Sequence, residues 1–203
     1  MIEEERIKEA DSNIKQYLSE GLLRIKDTEH KKFVPFFMEQ AEKSLHTANI
    51  IYDLSTEDNV KQALRVERRF ESYIWVIVIS YYSMFYAALA LLASEGIKVG
   101  RQIVHKVTSD ALIHFFISNK RLVKLLENYE EARDTTLELI GREELMRRLE
   151  KRADELIIAY EHEMKKRSRF QYEIGEMAKR GYAETSLKRA KGFFLEIRKI
   201  LSE

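Results

Sequence analysis

The segment KKRSRFQYE, Lys165 to Glu173, concentrates the groups best suited to handling phosphate. Lys165, Lys166, Arg167 and Arg169 place four cations in five positions, and Phe170 and Tyr172 follow directly. A guanidinium binds phosphate through paired N–H donors, and a nearby tyrosine donates a hydrogen bond or stacks on a base. On a helix these cations point around the axis, so not all of them can serve one ligand. Arg169 and Tyr172 are three apart and share a face, whereas Arg167 meets Tyr172 only where the helix ends or loosens between them. A two-fold dimer would bring two copies together and double the local charge. Lys165, Lys166, Arg167, Arg169 and Tyr172 form the candidate nucleotide- or RNA-binding set. Arg167, Arg169 and Tyr172 are also the candidates for any catalytic role.

Other chemistries find less support. Carboxylate-bridged metal bundles need Glu-x-x-His on paired helices. That spacing is missing, His105 and His114 stand nine apart, and His46 and His162 stand alone. With no HExxH and no cysteine, neither a metal nor any other cofactor is expected, and disulfides are excluded. Neither GxxxxGK[ST] nor GxGxxG occurs, which excludes P-loop hydrolysis. His105, Ser109 and Asp110 are close in sequence, but helical spacing keeps them from converging as a triad. His105 reads instead as a residue at a helix start.

The elements that must position these groups are helices. One proline and seven thinly spread glycines in 203 residues suit long helices with few connections. Apolar spacing predicts a helix over 3–25 on Ile7, Ala10, Ile14, Tyr17, Leu18 and Leu22. A second starts at Pro35 and runs to about Leu54, with Phe37, Ala41, Leu45, Ala48 and Tyr52 inward. Ser55, Thr56 and Asp58 offer a cap for a third helix over about 58–95. Its run YIWVIVISYYSMFYAALALLA, 73–93, carries no charge and must be weighed as a membrane span. Tyr81, Tyr82, Ser80 and Ser83 in mid-run point instead to the buried centre of a bundle. Further helices are predicted over 104–117, 120–139, 142–171 with a break at Gly141, and 183–201. Gly96 and Gly100 bracket one turn, and Gly175 and Gly181 mark another. The fold class is all-α, an up-and-down antiparallel bundle of four to five core helices with an extra N-terminal helix. Residues 1–30 read as an N-terminal extension and 31–203 as the bundle, one domain overall. MIEEERIKEA lacks a secretory pattern, so the expected location is cytoplasmic, with no membrane partner.

Charge is uneven along the chain. Residues 1–58 carry 8 Lys and Arg against 13 Asp and Glu, whereas residues 165–203 carry 11 against 5. A basic end attracts phosphates, or it pairs with the acidic end of the same or another chain.

Several segments resemble HEPN domains, the higher eukaryote and prokaryote nucleotide-binding helical bundles. SYYSMFYAALALLASEGI, 80–97, is similar to their central helix, and HKVTSDALIHFF, 105–116, to the helix that follows. MEQAEKSLHTANIIYDL, 38–54, resembles the preceding helix, RSRFQYE, 167–173, the motif region, and AETSLKRAKGFFLEI, 183–197, the closing helix. The similarity covers about 34–201. It implies a bundle of four or five helices, a homodimer, and a nucleotidyltransferase partner in a toxin–antitoxin or related defence system. Active members are metal-independent ribonucleases with an Arg, four to six residues, then His.

This sequence offers Arg167-x4-Tyr172 and Arg169-x2-Tyr172 but no histidine in that place. A tyrosine, with a pKa of about 10, is a poor general base at neutral pH. The expectation is a non-cleaving module that binds nucleotide or RNA. The alternatives are a ribonuclease completed by Tyr172, His105 or His114, and a structural interaction bundle in which Arg167 and Arg169 pair with the acids of 1–58.

Overall fold

The chain was analysed as a computed structural model that describes residues 2–120, 122–153 and 180–202, with side chains described outside 142–153. Among the described residues seven α-helices follow in order: α1 (Glu4–Ser19), α2 (Val34–Thr56), α3 (Asp58–Ala63), α4 (Tyr73–Ser94), α5 (Val104–Phe116), α6 (Val123–Ala153) and α7 (Arg180–Ile200). Two short strands, β1 (Leu23–Arg24) and β2 (Lys98–Val99), pair antiparallel, with Leu23 opposite Val99 and Arg24 opposite Lys98. A 3-10 turn, Thr28–Phe33, leads into α2 and is capped by Asp27, whose carboxylate accepts from the His30 N–H. The all-α bundle expected from composition is the fold.

Helix α4 lies at the centre, packed against α2, α5, α6 and α7. It is long and apolar enough to cross a membrane, yet 83% of its most apolar stretch is covered by the other helices. That cover explains why its apolar residues run all round the axis. Of its buried serines, Ser83 donates across to the Ala41 carbonyl of α2 at 2.8 Å, whereas the Ser80 hydroxyl has no hydrogen-bond partner among the described residues. Pro35 sits in the first turn of α2, where its missing N–H leaves no bond unmade. The inward stripe of α2 is Ala41, Leu45 and Ala48, with Phe37 and Tyr52 half-buried.

Several expectations need correction. The single helix over 58–95 is two helices, because α3 ends at Ala63 and Arg65 turns into the left-handed region at φ 56°. The connection is pinned from both sides: the Lys61 ammonium donates to the Arg68 carbonyl, and the Ser55 hydroxyl accepts from the Ser72 N–H. Ser55 and Thr56 do not cap α3. They close the last turn of α2 by donating to the carbonyls of Ile51 and Tyr52. Helix α6 passes through Gly141 unbroken, and α7 begins before Gly181, at Arg180.

The first 30 residues are not a peripheral addition. Ile14, Tyr17 and Leu23 belong to the same core as Tyr81, Leu112 and Phe193. Helix α1 stops at Ser19, short of the expected Ile25, because Gly21 takes φ +71°. Ala10, Ile14 and Tyr17 pack toward α5. Leu18 stays exposed.

Candidate functional site

Lys165, Lys166, Arg167, Arg169 and Tyr172 lie outside the described residues, as do His162 and Gly175. Two other clusters are described in full: a buried polar network between α1, α5 and α6, and a groove between the 3-10 turn, α4 and the β2–α5 connection.

The network centres on Asp110, which has no exposed surface. One carboxylate oxygen accepts from Tyr17 at 2.8 Å and Asn13 at 2.9 Å, and the other faces the Arg6 guanidinium at 2.6 Å. Arg6 also bonds Glu130 at 2.8 Å, and Arg133 bonds the second Glu130 oxygen at 2.8 Å. Both arginines donate to the Ser109 hydroxyl. The helical period makes this possible, because Arg6, Ala10, Asn13 and Tyr17 fall on one stripe of α1 facing α5. Burial and the Asp110 charge push the Tyr17 phenol far above its usual range. Every charge here has an opposite partner, so the network locks three helices together and keeps no charge free for a ligand.

His105 takes no part in a Ser–His–Asp arrangement. Its Nδ1 lies 2.9 Å from the Tyr81 hydroxyl, and its ring packs against Phe85 and Tyr82. It is the second residue of α5, near the helix start the sequence indicated. Burial, then the positive Arg133, holds its imidazole below the usual range. His114 pairs with Asp11 at 2.6 Å. Among the described residues, no three His, Asp or Glu side chains gather as a metal site.

The groove encloses about 600 Å³, a size suited to a small ligand. Its apolar walls are Phe33, Phe36, Phe37, Phe85, Leu89 and Val104. Phe33 and Phe36 are 42% and 50% exposed, so part of each ring is within reach of a visitor, although the Lys32 ammonium lies over the Phe33 ring at 5.8 Å. His30, Lys98 and Arg101 supply the polar margin. Burial and the Lys98 charge hold His30 below the ordinary imidazole range, against a smaller opposing pull from Asp27.

Local geometry builds this groove. Gly100 donates to the Leu22 carbonyl at 2.8 Å, and a Cβ at Gly100 would meet that oxygen at 3.0 Å. A side chain at this position would crowd the Leu22 backbone, so glycine eases the close approach of the β2–α5 connection to the chain leading into β1. Three residues on, Ile103 holds φ 41°, which is strained for a β-branched side chain. The segments 22–33 and 95–104 together carry six Lys and Arg against three Asp and Glu. Among the described residues, Arg24, Lys31, Lys98 and Arg101 have no acid in ion-pair range, whereas neighbouring Lys32 pairs with Glu29.

Counting charge over 1–58 missed this patch, because the acids on either side of it, in 1–21 and 34–58, outweigh the local excess. The readable signal was the aromatic-basic run HKKFVPFF, 30–37. Its second wall comes from some 60 residues later in the chain and has no local signature. Comparison with protein-family models, with curated proteins and with solved structures gives no match.

Proposed function

We propose that this chain is a helical module that binds nucleotide or RNA without cleaving it. The groove supports this reading, because aromatic faces beside unpaired cations suit a ligand that is flat at one end and anionic at the other. The HEPN-like segments point the same way, and with them a homodimer and a nucleotidyltransferase partner belong to the proposal. The basic set at Lys165, Lys166, Arg167, Arg169 and Tyr172 would add to the same anionic ligand's attraction.

The test is a titration of labelled RNA and of mononucleotides at two salt concentrations. Binding should weaken with salt, and Lys98→Ala and Arg101→Ala should each weaken it further. Affinity unchanged in both variants would sink the groove as the site.

A second reading, a metal-independent ribonuclease, has one observation in its favour. His30 lines the groove, and burial with the Lys98 charge lowers its pKa, which favours the neutral form that a general base needs. Incubation of RNA with the protein in EDTA decides between them. The binding-module reading expects intact RNA, and cleavage that disappears in His30→Ala would replace it with the enzyme.

A further inference from the structure

We infer that the groove takes one unpaired base of a single-stranded nucleic acid, while the strand's phosphates run out along the β1–β2 ribbon over Lys98 and Arg24. This rests on the nucleotide-binding reading and specifies the form of its ligand.

The argument begins with the ribbon register. Arg24 stands directly opposite Lys98, and residues opposite each other in an antiparallel pair project from the same face. Two like charges so placed repel each other, and neither has an acid within reach among the described residues. Lys98 lines the groove; Arg24 does not. The unpaired positive charge therefore continues beyond the cavity, along a path leading away from it. A mononucleotide filling the groove would leave Arg24 without a partner. A ligand with successive phosphates would meet both cations.

The cavity gives the second half. Its walls offer ring faces, and in a duplex the faces of the bases are covered by their neighbours. Only an unstacked base can lie against Phe33 or Phe36. The lining has few polar groups apart from His30, Lys98 and Arg101, so it holds a base by stacking and reads little of its edge. Binding should be tolerant of sequence. An anionic membrane also likes aromatic and basic residues, but the aromatic walls here enclose a concavity, which favours a discrete group entering it.

The test uses the full chain and four probes: a labelled single strand of roughly ten nucleotides, its blunt duplex, a mononucleotide, and phosphatidylserine-containing vesicles. The strand should bind at least about tenfold tighter than the duplex or the mononucleotide. Arg24→Ala should weaken the strand several-fold, lower its salt slope by about 0.7, and leave the mononucleotide unchanged. Phe33→Ala and Phe36→Ala should weaken both by about 5- to 150-fold. These side chains are exposed, so the variants should keep their fold, as circular dichroism will check. Equal affinity for strand and duplex, no effect of Arg24→Ala, or a preference for the vesicles overturns the inference. If the mononucleotide binds as tightly as the strand, the inference falls and nucleotide binding stands. If neither binds, both fall together.

Discussion

Asp110 places a carboxylate with no exposed surface between three helices and surrounds it with donors from α1. Removing one partner of a buried pair leaves the other charge stranded. Asp110→Ala should therefore cost about 3–5 kcal/mol, read as a fall in the urea midpoint at unchanged slope. The histidines give a second residue-scale prediction. His30 and His105 are both held below the ordinary imidazole value of about 6.5. Below that value the unfolded chain takes up protons that the folded chain refuses, so stability is full above it and falls as the solution acidifies. The urea midpoint should drop between about pH 7.5 and about pH 5.5, and His105→Gln should shrink that drop. A flat profile in the parent protein would count against this assignment. The Asp110 network was not legible: Tyr17 was read only as part of the apolar stripe of α1, and Arg6 and Asn13 were not singled out. Nor was the Arg6–Glu130 pair, because Glu130 lies 124 residues from Arg6 and no local spacing connects them.

The elements divide according to whether local rules or distant contacts set their ends. Helices α2 and α5 were readable from proline, glycine and apolar spacing, because their limits coincide with local signals, whereas α7 includes the Gly181 that was read as a turn. The α3–α4 break was hidden, since it depends on Lys61 and Ser55 reaching across the connection. Gly141 misled in the opposite sense. Glycine lowers helix stability by about 1 kcal/mol relative to alanine, which a helix packed by its neighbours can absorb. A Cβ at Gly141 meets nothing within 4 Å, so Gly141→Ala should raise stability by about 0.5–1 kcal/mol. Gly96 holds φ +69° at the end of α4, and there Gly96→Ala should lower it by about 1 kcal/mol or more. Thermal melts of the two variants should move in opposite directions. The aligned groove wall at Gly100 belongs to this scale as well, since the close approach to Leu22 holds β2 against β1.

At the scale of the whole molecule, one buried helix organises all the others. The uncharged run 73–93 was legible as a centre because its hydroxyls sit where lipid would offer them little, and α4 is indeed enclosed by α2, α5, α6 and α7. Its amides should open only with global unfolding. Hydrogen–deuterium exchange should therefore be slowest in α4 and faster in α3 and the exposed 64–71 connection. Comparable rates in α3 and α4 would mean that α4 is not the last element to open. The groove was the least legible feature at this scale, because its two walls meet only once α4 has brought the 3-10 turn beside the start of α5.

The bond between Arg6 and Glu130 also sets a schedule. Helix α1 is made well before the partner that completes it, because Glu130 follows Arg6 by 124 residues. At translation rates of about 5–20 residues per second, that interval is about 6–25 s. Over that interval the stripe of Ala10, Ile14 and Tyr17 is already made while the helices that will cover it are still incomplete. The acidic residues Glu4, Glu5 and Glu9 lie on the same helix as that stripe, and Glu3 at its N-cap. Like charge between neighbouring nascent chains would hold such stripes apart until α5 and α6 arrive.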